Sequence, residues 1–302
     1  MVGVGVAGGT GHVGRAIVEA IVATGKHEVL ILGRTANPQL SAELGVPILA
    51  VDYTNVDALA KTLEEHKVHT VVSAILMMPS PSGELPKEVE LIQAADKSRF
   101  TKRIISSDWG VPHTKEHISQ HISVKLKFDA EKALKKATSL ESTKFINGYF
   151  MDYWGIPQVK SYMPPTTMVL DIPNNTAAIT GSGNTPVVFT HTSDIAKFVA
   201  ASLDLESWDA VSYIIGDRVT WNEFLRLAEE TKRTKFTVAY DSLEKLQKGQ
   251  VTELPGHVAF AATIGQWYEM GVMDFRPETS LNDCLPQLQT LKVKELLEKA
   301  WQ

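Results

Sequence analysis

Four glycines fall within the seven residues from Gly8 to Gly14 of the opening stretch MVGVGVAGGTGHVGRAIVEAIVATG. Small apolar residues precede them. After them RAIVEAIVATG sets Ile17, Val18, Ile21 and Val22 at helical spacing, with Gly25 as a stop. Glycines interrupt the apolar run and no basic region precedes it, so it does not read as a secretory leader. It reads as a buried strand through Val2, Val4 and Val6 that turns tightly into a helix. In Gly8-x-x-Gly11-x-x-Gly14 the glycines serve a sharp turn, a close approach of backbone to a pyrophosphate, and the packing of helix on strand. The helix N-terminus directs its free N–H groups at the phosphate. A plain structural turn is the alternative, but the position between strand and helix favours a dinucleotide site. Its candidates are Gly8, Thr10, Gly11, His12, Val13 and Gly14.

The pattern then repeats. HEVLILGR reads as a second strand, VPILAVDY as a third, NVDALAKTLEEHK as a helix capped by Asn55, and VHTVVSAIL as a strand covered on both faces. The loop MMPSPSGELP, the helix KEVELIQAADKS and the strand KRIISSD follow. Strands alternating with helices through short turns give right-handed crossovers and a parallel sheet. The expected fold class is α/β, a Rossmann-type doubly wound parallel sheet over residues 1–150, completed by parts of 186–217. Residues 151–185 and 218–302 are expected to form a smaller, mainly helical substrate lobe. There, PVVFTHTSDIAKFVAASLD reads as a strand and a helix capped by Thr192 or Ser193. TWNEFLRLAEETK reads as a helix with Thr220 and Glu223 at capping-box spacing.

The second strand ends in Gly33-Arg34-Thr35 with no acidic residue to take a ribose 2′-hydroxyl. An arginine there suits the 2′-phosphate of NADP; a loop arginine is the plainer alternative. NADPH/NADP is the expected cofactor, with Arg34 and Thr35 at the phosphate. Asp52 and Tyr53, Ser73 and Ala74, and Ser106 flank it at the ends of later strands.

Over 302 residues, a net charge of −5 argues against nucleic acid or an anionic membrane surface as partner. No apolar run approaches the roughly 18–20 residues of a membrane span. A single cysteine, Cys284, excludes an intrachain disulfide and a thiolate zinc site, which suits the cytoplasm. The expected partner is a small molecule, and a homodimer is left open.

GVAGGTGHVGRAIVEA, ILGRT, VVSAI, TKRIISSDWGV, SVKLKFDAEKALKK, KFINGYFMDYW and HTSDIAKFVAASL occur in the order seen in atypical short-chain dehydrogenases. The chain resembles their NmrA-like and isoflavone reductase-like branch, which includes the phenylcoumaran benzylic ether reductases. The resemblance covers most of the chain and is clearest over the first 155 residues. It implies a catalytic lysine on the helix after the fifth strand, and Lys125 stands at the matching place with Lys127 as its rival. Asp129 departs from the arginine usual in that context. A lysine near nicotinamide can protonate or hydrogen-bond an oxygen as hydride arrives; a solvated basic face is the alternative. The apolar stripe Ile122, Leu126, Ala130, Ala133 and Ala137 leaves the two lysines on opposite flanks. No tyrosine lies between Tyr53 and Tyr149, so the Tyr-x-x-x-Lys arrangement is absent.

His113, His117 and His121 share one face if the segment is helical, but their spacing is not that of a zinc motif. No metal is expected. Tyr149 and Phe150 are assigned to the cofactor side. Ser107, Asp108, Trp109, His113, Met151, Tyr153 and Trp154 are assigned to an apolar substrate pocket, with ordinary core as the alternative. The resemblance implies an NADPH-dependent reductase of a small aromatic or polycyclic product of secondary metabolism, reducing a carbonyl, conjugated alkene or benzylic carbon. An NADP(H)-sensing regulator without turnover and a redox-neutral isomerase or cyclase are the competing readings.

Overall fold

The computed structural model of the chain describes residues 1–255 and 260–302. In chain order its elements begin β1 (Gly3–Ala7), α1 (His12–Thr24), β2 (Glu28–Gly33), α2 (Pro38–Leu44), β3 (Ile48–Ala50) and α3 (Val56–Glu65). There follow β4 (Val68–Ser73), α4 (Glu88–Lys97), β5 (Arg103–Ser106), α5 (Ile122–Lys136), β6 (Glu141–Ile146) and β7 (Tyr149–Phe150). Next come β8 (Leu170–Asp171), β9 (Thr176–Thr180), β10 (Pro186–Thr190), α6 (Thr192–Ser202), β11 (Val211–Tyr213) and β12 (Asp217–Thr220). The chain closes with α7 (Trp221–Lys232), β13 (Thr237–Asp241), α8 (Leu243–Gln247), α9 (Ala261–Glu269), α10 (Leu281–Cys284) and α11 (Val293–Trp301).

Two compact units share these elements. The first comprises residues 1–109, 114–146 and 195–212; the second comprises 110–113, 147–194 and 213–302. The first unit is built on a seven-stranded sheet in the order β11-β6-β5-β4-β1-β2-β3, in which β1 to β6 pair in parallel. From β1 the chain winds outward to β3, then returns to β4 on the other side. The order therefore reverses between β1 and β4, and a crevice at the carboxyl ends of the strands is the expected ligand site of such sheets. The strand cores Val4, Val6, Val71, Val72, Ile104 and Ile105 have no exposed surface, as both faces are covered by helices. Leu59 and Leu63 of α3 and Leu91 of α4 are also buried there, each worth about 1.5–3 kcal/mol of transfer free energy.

The second unit contains two three-stranded sheets, β12-β10-β7 and β13-β9-β8, besides its helices. Its strands are two to five residues long, and strands of two or three side chains leave almost no period-two pattern to read. Trp154, Phe189, Trp221 and Phe224 pack with ring centroids 5.0–5.7 Å apart and form its core.

Local capping follows the sequence at Asn55, whose Oδ1 accepts the Ala58 N–H, and at Thr220 with Glu223, a full capping box. At α6 the cap is His191, one residue before the expected Thr192 or Ser193: its Nδ1 accepts the Ser193 N–H at 3.2 Å. His117 and His121 do the same local work. His117 Nδ1 accepts the Thr114 N–H in a short 3₁₀ turn, and His121 Nδ1 accepts the Ser123 N–H at the start of α5. The three histidines 113, 117 and 121 therefore do not share a helical face. His113 lies in the second unit against Trp267.

A cap that accepts at Nδ1 needs a neutral ring. Burial, reinforced by the charge of Lys127, holds the His121 pKa below its ordinary value of 6.5. The unfolded chain then binds its proton more readily than the folded one, so this stability is complete above the ordinary histidine range and is lost as pH falls through it. His121→Asn, an amide cap that does not titrate, is expected to flatten the fall in urea midpoint between about pH 8 and about pH 5. An unchanged fall in the variant would place its origin elsewhere.

Candidate functional site

The turn from β1 into α1 is fixed by contacts that exclude side chains. Gly8 has φ 74°, and a Cβ there would lie 2.5 Å from the Ala74 carbonyl oxygen at the end of β4. A Cβ on Gly14 would lie 2.3 Å from the Gly8 oxygen. These two positions need glycine for packing. Gly11 does not: a Cβ there would meet nothing within 4 Å, and the backbone is extended. Gly11 is also the N-cap of α1, with no side-chain cap and no acidic residue in the first turn. An uncapped 13-residue helix behind an open glycine leaves room and N–H donors for an anion, which is the fit a pyrophosphate requires. Thr10 and His12 are exposed at this turn, His12 in the left-handed region with φ 50°, while Val13 is buried beneath it. Arg34 and Thr35 are exposed just beyond β2.

Other expected site residues have their side chains tied into the scaffold. Tyr53 is buried in the core and its hydroxyl donates to the Leu32 carbonyl at 2.7 Å, so it offers no hydroxyl outward. Asp52 accepts both the N–H and the hydroxyl of Thr54, which pull its pKa down and tie it into the turn before α3. Ser73 is fully buried, and its hydroxyl donates to a carboxylate the sequence did not single out, Glu88. Ser107 donates its hydroxyl to the Ile75 carbonyl, and Trp109 Nε1 donates to the Ser73 carbonyl at 3.0 Å. Ala74 anchors the glycine turn through its N–H bond to Ala7.

The two candidate lysines of α5 differ in exposure. Val124, Leu126 and Ala130 are its buried residues, while Ile122 is 41% exposed. This rotation carries Lys125 outward: its side chain is 55% exposed and pairs with Asp129, one turn on, at 2.7 Å. Lys127, three residues after Val124, turns inward, with its side chain 12% exposed. Its Nζ lies 2.9 Å from Asp108 Oδ1, just past the end of β5, and Lys144 Nζ lies 3.3 Å from Asp108 Oδ2. Asp108 is thus a partner of lysines rather than a pocket wall.

In the second unit the aromatic segment divides. Met151 is fully buried and belongs to the core. Trp154, 3% exposed, donates its Nε1 to the Leu170 carbonyl. Phe150 packs edge-on against Tyr153. Tyr149 donates its hydroxyl to Met168 Sδ and packs edge-on against Tyr268, and burial pushes its pKa up. A cavity of about 140 Å³ is lined by Tyr153, Trp154, Pro165, Thr166, Asp171 and Trp301, among others.

No helix of the described residues is long and apolar enough to cross a membrane. Residues 3–262 match the model of the NmrA-like family. The chain is 36% identical over 295 residues to Oxidoreductase BOA1 of Botryotinia fuckeliana (strain B05.10), covering 95% of this chain and 96% of that one. It is 25% identical over 316 residues to Phenylcoumaran benzylic ether reductase Betv6 of Betula pendula, covering 97% and 96% of the two chains. Among solved structures, the binary complex of leucoanthocyanidin reductase with NADPH from Vitis vinifera superposes with a TM-score of 0.76 at 18% identity, over 98% of both chains. The glycine turn, the doubly wound sheet and these likenesses agree: the chain belongs to the NmrA-like family.

Proposed function

We propose that this chain reduces a small phenolic metabolite with NADPH and that Lys127 delivers the proton. The chain is an NADP(H)-dependent oxidoreductase of its family. The observation that carries the finer reading is the Lys127–Asp108 pair at the carboxyl end of β5, where a doubly wound sheet presents its chemistry. Bound NADPH supplies the hydride. The open Gly11 and the N–H groups of α1 would hold the pyrophosphate, and Arg34 with Thr35 would take the 2′-phosphate. Asp108 Oδ1 orients Lys127 Nζ, which retains N–H donors for the substrate oxygen and gives up a proton there as negative charge develops. A reductase named for a phenylcoumaran benzylic ether among the relatives supports a phenolic substrate. A cytoplasmic enzyme with a small molecule as its partner completes this reading. A dinucleotide sensor needs only the glycine turn and Arg34; the inward lysine favours the enzyme.

Gly11→Ala is expected to fold, at a cost of no more than about 1 kcal/mol for the weaker cap, yet to bind NADPH poorly in a fluorescence titration. Arg34→Ala is expected to lose about 10- to 100-fold in NADPH affinity with NADH unaffected, the worth of a hydrogen-bonded charge pair. Equal losses for both cofactors would remove Arg34 from the 2′-phosphate.

NADPH oxidation over a panel of lignan, flavonoid and simple aliphatic carbonyl substrates tests the substrate class. On the best substrate, Lys127→Met is expected to lower kcat by about 10²–10⁴-fold, while Lys125→Met leaves it within about twofold, as a solvated ion pair would. The reverse ranking would return the role to Lys125.

A further inference from the structure

Glu88, the first residue of α4, is 1% exposed, whereas an acidic residue that merely complements a helix N-terminus stays in water. Ser73 Oγ donates to its Oε2 at 2.5 Å, and the Ser107 N–H donates to its Oε1 at 2.9 Å. Burial pushes its carboxyl pKa up, and the nearby charge of Asp108 pushes the same way. A carboxyl buried without a cation is costly unless its oxygens are bonded; here the bonds reach two separate strand ends. Around it the segments 73–75 and 107–109 are laced together, Ser107 Oγ to the Ile75 carbonyl at 2.7 Å and Trp109 Nε1 to the Ser73 carbonyl at 3.0 Å. The residue after Ser107 is Asp108, which holds Lys127, and Trp109 O lies 3.4 Å from Lys127 Nζ.

We propose that Glu88 is a positioning residue of the reduction, a buried clamp between the ends of β4 and β5 that fixes Asp108 and, through it, Lys127 Nζ. This rests on the reading of Lys127 as the proton donor. Glu88 touches neither substrate nor cofactor; it acts through the Ser107 N–H. The clamp works through hydrogen bonds rather than charge, so an uncharged isostere serves it. Glutamine can accept the Ser107 N–H at Oε1 and donate from Nε2 to Ser73 Oγ.

The test compares the full-length wild type with Glu88→Ala, Glu88→Gln and Ser73→Ala. Three quantities are read: NADPH affinity, kcat and KM on the best panel substrate, and hydrogen exchange of the peptide that carries the Ser107 amide. Glu88→Ala is expected to lower kcat about 10- to 100-fold, the scale of a misplaced catalytic group, with KM and NADPH affinity nearly unchanged and faster exchange at Ser107. Glu88→Gln is expected to recover most of the kcat and the slow exchange. If the alanine variant fails to fold, Ser73→Ala removes one arm of the clamp and is expected to lower kcat about 3- to 10-fold, the worth of one hydrogen bond. A folded Glu88→Ala protein with wild-type kcat, or a glutamine variant as slow as the alanine one, overturns the proposal. NADPH titration of the wild type reports on the reductase reading alone. Exchange at Ser107 reports on the clamp alone, and no change there in Glu88→Ala sinks the clamp whatever the substrate.

Discussion

The approach of α1 to the ends of β1 and β4 is the constraint on which the first unit depends. With a Gly14 Cβ at 2.3 Å from the Gly8 oxygen, and a Gly8 Cβ at 2.5 Å from Ala74, no side chain fits at either place without moving the helix or the strand. Because β1 lies between β2 and β4, that contact also sets where the sheet's winding reverses. The open end of α1, the end of β2 with Arg34 and the end of β4 with Ser73 are all strand or helix termini on the carboxyl side of the sheet. The start of α1 and the ends of β1 and β4 are therefore held together by one glycine-dictated packing distance.

The second organising element is the distribution of charge around Asp108. One carboxylate receives two ammonium groups, Lys127 at 2.9 Å and Lys144 at 3.3 Å, and Lys144 is also 3.5 Å from Glu131. Stripping a buried carboxylate of its only cation costs about 3–5 kcal/mol, enough to unfold many marginal domains. Here Lys144 remains when Lys127 is replaced. Lys144 keeps Asp108 paired, so that replacing Lys127 does not leave that carboxylate without a cation.

What was legible in the sequence was local. The glycine turn, the Asn55 cap and the Thr220–Glu223 box each complete their physics within a few residues, and the structure follows them closely. The side of α5 that faces inward was not legible. The stripe through Ile122 and Leu126 is a sound helical pattern, yet the helix is rolled so that Val124 is buried and Ile122 exposed, and that roll turns Lys127 inward and Lys125 outward, a choice the stripe left open. Only packing against neighbouring elements decides it. Glu88 was hidden for a related reason. At the first position of a helix an acid looks like a dipole complement, and its partners Ser73 and Ser107 lie 15 and 19 residues away. Tyr53 ends a well-identified strand segment, but nothing nearby shows that its hydroxyl is claimed by Leu32, 21 residues earlier.

Burial also weighs between an enzyme and a sensor of the same dinucleotide. A sensor needs the anion site and the 2′-phosphate reader, both of which are exposed and inexpensive to build. It has no need to bring a lysine to 12% side-chain exposure beside an aspartate, or to bury a carboxyl between two strand ends. Removing such groups from water costs free energy that hydrogen bonds only partly offset, and apolar side chains of similar volume would hold β4 against β5 at least as well. Polar burial of this kind is what a reacting oxygen requires: a donor whose direction is fixed before the substrate arrives, on a support that does not yield when charge develops. Asp108 lies just past the carboxyl end of β5, the side on which a sheet of this winding takes its ligand, and Lys127 meets it from α5.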